Sequence, residues 1–80
     1  MRVVKIEWID SSASSLNWMF MDELPEDITP IRIISYGVVV KENDTFIAIA
    51  QNYGFNPAQC CSLMTIPKGC IEKITDIEEI

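Results

Sequence analysis

Four carboxylates, Asp22, Glu23, Glu26 and Asp27, fall within six residues. Paired carboxylates can move protons or hold a metal ion. Here they flank Pro25 in a stretch that implies no fixed geometry, so they read as a solvated acidic loop. Asn43-Asp44 and Asp76-Glu78-Glu79 lack the spaced oxygens of a calcium loop. Ser11, Ser12, Ser14 and Ser15 supply hydroxyls with no base to activate them, because histidine is absent. That absence removes the commonest general base, the Ser/His and Cys/His pairs and every zinc site that uses imidazole. The glycines Gly37, Gly54 and Gly69 are isolated, so no phosphate-cradling loop exists. We read the chain as non-enzymatic, with no metal site and no cofactor.

The three cysteines are Cys60, Cys61 and Cys70. An odd number cannot pair fully within one chain, and adjacent Cys60 and Cys61 point to opposite faces of a strand. They are expected to act as small apolar fillers in a reducing compartment. The opening residues lack a signal peptide's apolar core, and no apolar run approaches the roughly 20 residues a membrane span needs. A cytoplasmic location and no membrane contact follow as expectations.

The side chains that remain able to recognise something are aromatic and basic. Trp18 and Phe20, with Met19 and Met21, lie outside any strand pattern. Such residues either fold back as a lid over the core or form a patch for a partner. Tyr53 and Phe55 flank Gly54 in a second loop, where aromatics can stack on bases or pack on a peptide. Lys68, in the last turn, is the cation expected to border a site. The net charge is −6 and the pI near 4.3, which opposes simple coating of nucleic acid, since phosphate binding needs clustered Lys and Arg.

Eighty residues, 49% of them hydrophobic, make one domain spanning 1–80. Residues 3–10 read as a strand with Val4, Ile6 and Trp8 on one face. Asp10-Ser11-Ser12-Ala13-Ser14-Ser15 breaks it, and Pro25 and Pro30 oppose a long helix in the excursion from 11 to 30, leaving one turn around Asp22–Leu24. Ile31–Val40 is a strand apolar on both faces, so it must be covered on both or cross between sheets; Gly37 is where it would bend. A turn at Lys41–Asp44 returns it through Thr45–Ala50, with a loop over Asn52–Pro57. Gln59–Ile66 is the fourth strand, interrupted by Pro67-Lys68-Gly69, and Cys70–Thr75 the fifth. Ile71, Ile74, Ile77 and Ile80 recur every three residues, which keeps a helical C-terminus open as an alternative. Five strands cannot leave two flat faces in water, so the prediction is all-β: a small, strongly bent antiparallel barrel with a long loop after the first strand.

This strand order resembles the small barrels of the Src-homology-3 and Sm-like kind. The likeness is carried by Thr65-Ile66-Pro67-Lys68-Gly69-Cys70-Ile71, where Pro67-Lys68-Gly69 resembles the single 3₁₀ turn between the fourth and fifth strands of those barrels. It is a likeness of architecture; the aromatic pair of the Src-homology-3 groove and the Sm loop pattern are not placed on these residues. The chain also resembles short uncharacterised phage and prophage proteins through Trp8-Ile9-Asp10-Ser11-Ser12, Trp18, Ser35-Tyr36-Gly37-Val38 and Ile66-Pro67-Lys68, which implies provenance and no activity. The expected role is a protein-interaction or self-assembly module, binding a protein partner or further copies of itself. The alternative is an Sm-like ring that stacks single-stranded nucleic acid on Tyr53, Phe55 or Tyr36.

Overall fold

A computed structural model describes residues 1–12, 18–26 and 28–79, with 78 and 79 described by their backbone alone. Ala13, Ser14, Ser15, Leu16, Asn17, Asp27 and Ile80 therefore lie outside the described residues. The elements are β1 (Arg2–Asp10), a 3₁₀ turn at Met21–Glu23, β2 (Ile31–Glu42), β3 (Phe46–Gly54), β4 (Gln59–Pro67), a 3₁₀ turn at Lys68–Cys70, and β5 (Ile71–Glu79). All five strands form one antiparallel sheet in the order β4-β3-β2-β1-β5. The expected all-β class and the 3₁₀ turn before the last strand are both present. No helix among the described residues is long and apolar enough to cross a membrane.

The sheet works through one crossing strand. Ile31 to Val38 of β2 pair with β1, and Val38 to Glu42 pair with β3. The change of partner falls at Val38, which pairs with both strands, and at the neighbouring Gly37 the backbones meet too closely for a side chain. A Cβ there would sit 2.9 Å from both the Ala50 carbonyl oxygen and the Ile49 Cβ. The bulge at Val40 then adds local twist. The two halves fold over one another, so that Val4 and Ile6 of β1 join Ile47 and Ile49 of β3 and Ile66 of β4 in one buried cluster. Trp8, Val39, Ile71 and Ile74 pack around it.

The sheet does not close into a barrel. No ladder joins β4 to β5 among the described residues. The chain passes between them in a three-residue turn, with Ile66 in the buried cluster and Ile71 and Ile74 packed against it. The structure is correspondingly long, 57 × 23 × 20 Å, with a radius of gyration of 16.7 Å against roughly 12 Å for a compact chain of this length. β4 and β5 remain as free edges.

Two further expectations change. The three-residue isoleucine spacing at the C-terminus belongs to a strand, because β5 skips Glu72 and Ile77 in its register with β1. The bulge at Glu72 puts Ile71 and Ile74 on the same face, and Ile77, at the second bulge, is exposed. Asn52-Tyr53-Gly54 also belong to a strand, since they pair with Cys61, Cys60 and Gln59. The Gly/Pro/Asn signal marks a turn displaced to 55–58, where Asn56 takes a left-handed φ of 57°.

The β2–β3 turn is built by Asn43, whose Oδ1 accepts hydrogen bonds from the Thr45 and Phe46 amides, each 2.9 Å. The Thr45 carbonyl accepts from the Lys68 amide at 2.8 Å, tying this turn to the last 3₁₀ turn. Above that junction Glu42 accepts from Lys68 Nζ at 2.6 Å and Arg2 Nη1 at 2.7 Å, while Arg2 Nε donates to Asp76 at 2.6 Å. Donation by Lys68, and secondarily by Arg2, holds the Glu42 carboxyl below its ordinary value of 4.5 against the opposing effect of burial.

Gly37→Ala should destabilise the fold by about 1–3 kcal/mol, the range for overpacking. A methyl group on Gly69 would meet nothing within 4 Å, and the residue has no left-handed φ, so Gly69→Ala should be neutral or stabilise by about 0.4–1 kcal/mol. Chemical denaturation of the two variants checks the contrast, and equal effects would contradict it. A carboxylate whose folded-state pKa is depressed adds stability at high pH and loses it as pH falls through the folded value. Wild type should therefore lose more stability than Glu42→Gln on acidification below about pH 4.5, by less than about 1 kcal/mol for so exposed a network. Thermal melts of both proteins at neutral and acid pH measure the difference; parallel curves would contradict the role of Glu42.

Candidate functional site

Where β2 leaves β3, a cleft opens. Its walls are Ile34 and Tyr36 on β2 and Leu63 and Met64 on β4, with Ser35, Gln51 and Ser62 between them. The volume is about 420 Å³, within the roughly 300–1,000 Å³ of small ligand pockets. The crossing of β2 creates this space: its residues 31–37 pair only with β1, while β3 beyond Ala50 pairs only with β4. One backbone edge of each segment is thereby left without a ladder, the feature that β-augmentation uses.

A polar chain runs beneath the cleft. Trp8 Nε1 donates to Ser35 Oγ at 3.0 Å, and Ser35 Oγ donates to Met64 Sδ at 3.7 Å. Ser35 is the one buried polar residue among those described, and it joins β1, β2 and β4. Ser62, at the cleft rim, holds a left-handed φ of 60° in the middle of β4. For a residue with a Cβ this conformation is strained by about 1–2 kcal/mol.

The residues singled out from sequence are dispersed. Trp18 is fully exposed and Phe20 is 75% exposed, with Met21 likewise in solvent. The lid reading of this segment is overturned: none of these side chains covers the core. Tyr53 and Phe55 pack on each other, ring centroids 5.3 Å apart and tilted by 59°, at the tip of the β3–β4 hairpin. Tyr53 also borders a shallower hollow of about 330 Å³ with Val40 and Cys60. Lys68 lies at the other end of that hairpin, beyond the Phe46–Pro67 pair, so roughly 26 Å of strand separates it from the aromatic tip. It is engaged with Glu42. The structure thus brings Tyr53 to Phe55 and leaves Trp18, Phe20 and Lys68 elsewhere.

Cys60 and Cys61 are exposed and Cys70 is half-buried, so the first two are not core fillers; β4 presents almost its whole length to solvent, with only Ile66 buried. No group of three metal-binding side chains occurs among the described residues. The cleft residues Ile34, Leu63 and Met64 were not singled out from sequence. Their signal was present in β2, whose apolar residues at both parities demand cover on both faces. The outer face receives none: Ile34 and Tyr36 are each 57% exposed.

Ser35→Ala would leave Trp8 Nε1 without its partner and should cost about 1–3 kcal/mol. Ser62→Gly relieves the left-handed strain at some entropic cost and should stabilise by up to about 1 kcal/mol. Equilibrium denaturation reads both, and a destabilising Ser62→Gly would contradict the strained assignment.

Searches with protein-family models, among curated proteins and among solved structures find no match to this chain.

Proposed function

We propose that this chain is a non-enzymatic protein-interaction or self-assembly module, of the phage-derived kind that its sequence resemblance implies. The observation that carries this reading is the amount of apolar surface left outside the core: the Trp18–Met21 segment and the walls of the β2–β4 cleft. Exposed apolar patches of this kind mark interaction sites. An open sheet with two free edges points the same way, because an unpaired strand is a template for another chain. The finer identification, a Src-homology-3-like or Sm-like architecture, is supported by the strand order with a 3₁₀ turn between β4 and β5.

The nucleic-acid alternative is the weaker one on electrostatic grounds. Arg2 and Lys68 bond to Glu42, Arg32 bonds to Glu72, and Lys41 lies 5.8 Å over the Phe46 ring. Of the six basic residues only Lys5 and Lys73 lack such a partner among the described residues, and Glu7 is paired directly with Lys73, so the phosphate-neutralising cluster that such binding requires is not assembled.

Trp18→Ser combined with Phe20→Ser tests the interaction reading. Both side chains stand in solvent, so folding stability should stay within about ±0.5 kcal/mol of wild type while complexes seen in sizing chromatography disappear. Unfolding of the variant would place these residues in the core and contradict the proposal. Retention of wild type on single-stranded RNA at low salt would instead favour the nucleic-acid binder.

A further inference from the structure

We infer that the partner is a second copy of this chain, bound head to tail: the acidic apolar segment Trp18–Glu26 of one copy docks on the outer face of β2 and its cleft in the next. This rests on reading the chain as an interaction module and names the partner and both surfaces.

The two surfaces differ in charge. No basic residue occurs from 6 to 31, and the described part of the loop carries Asp22, Glu23 and Glu26 beside Trp18, Phe20 and Met21. The outer face of the β5-β1-β2 layer carries Lys5, Lys73 and Arg32 against Glu7 and the Arg32-bonded Glu72, a small positive excess in a chain of net charge −6. Directly paired residues share a face of a sheet, and the register places Thr75, Lys5 and Tyr36 in one row and Lys73, Glu7 and Ile34 in the next. Arg32, two residues before Ile34, stands on the same face. Lys5 and Lys73 make no ion pair among the described residues, unlike Arg2, Lys68 and Arg32. Tyr36 is thus paired with Lys5, while Ile34 is paired with Glu7 and has Lys73 one strand further on; both form one wall of the cleft.

The loop is apolar and strongly acidic, while the face is apolar with unpaired Lys5 and Lys73 near it and a small net positive charge, a complementarity that would steer association. Exposed Trp and Phe side chains can each bury about 150–250 Å². Trp18, Phe20 and Met21 together supply a large part of the roughly 800 Å² per partner that a stable interface buries. An anionic membrane would repel this loop. Because the two surfaces differ, the contact is heterologous and leaves one of each free on every pair.

The test is complementation between two variants, with mass read by light scattering behind a sizing column. Wild type should grow in mass with concentration. Trp18→Ser/Phe20→Ser lacks the donor loop and Ile34→Ser/Tyr36→Ser lacks the acceptor face, so each alone should remain at 9.1 kDa. The self-association Kd of each should rise by about thirtyfold or more, the effect of losing interface hot spots. An equimolar mixture should give a species of twice the chain mass and nothing larger, since it retains one intact loop and one intact face. A monomeric mixture of the two folded variants overturns the inference, as does self-association of the loop variant. Wild type that stays monomeric at high concentration also overturns it, while leaving the interaction reading with a different protein as partner. Should the face variant fail to fold, Lys5→Glu/Lys73→Glu replaces it. Its loss of association must then be restored by a partner carrying Asp22→Lys/Glu23→Lys, and absence of restoration overturns the inference.

Discussion

The backbone of Gly37 lies against Ala50 and Ile49 with no room for a methyl group, and this contact lets a single strand belong to two layers. Because β2 exchanges β1 for β3 one residue on, at Val38, Val4 and Ile6 can meet Ile47, Ile49 and Ile66 across the fold. The same crossing has a second consequence. Strand segments that part company on either side of it leave the cleft between Ile34, Tyr36, Leu63 and Met64, with unpaired backbone at its walls. The core and the candidate site have one geometric cause.

Charge divides the surface in a matching way. At one end Glu42 gathers Lys68 and Arg2, and through Arg2 Asp76, over the junction of the two turns. This network consumes cations locally and fixes the strand ends together. On the outer face, Lys5 and Lys73 stand beside exposed apolar side chains. The acidic segment after β1 carries its own exposed Trp18 and Phe20.

The strands were legible where hydrophobic alternation was strong. Val4, Ile6 and Trp8 fall on the buried side as their spacing requires, and the β-branched run through Val40 predicts β2; the irregularity expected at Gly37 falls instead at Val40. The 3₁₀ turn after β4 was legible from Pro67-Lys68-Gly69 in the light of a family resemblance. What escaped depends on long-range placement. Closure into a barrel is decided by whether β4 lies beside β5, which no local pattern specifies. The isoleucine period of three is ambiguous until the register with β1 shows the bulges at Glu72 and Ile77. The cleft residues escaped because their exposure follows from the angle between two strands, whereas the aromatic residues outside the strands were visible by type alone. Ser35 gave no signal, since its importance comes from Trp8 arriving from β1.

Amide hydrogen exchange in dilute solution tests the open, crossed sheet most directly. An open sheet predicts slow exchange for amides of β1 and of Ile47–Ala50 in β3, which pair on both sides, and fast exchange for the alternate amides of β4 and β5 that point away from β3 and β1. The amides of residues 31–37 that face the cleft should also exchange fast. Strong protection along the outer edges of both β4 and β5 would show that those strands pair with each other, and would contradict an open, crossed sheet.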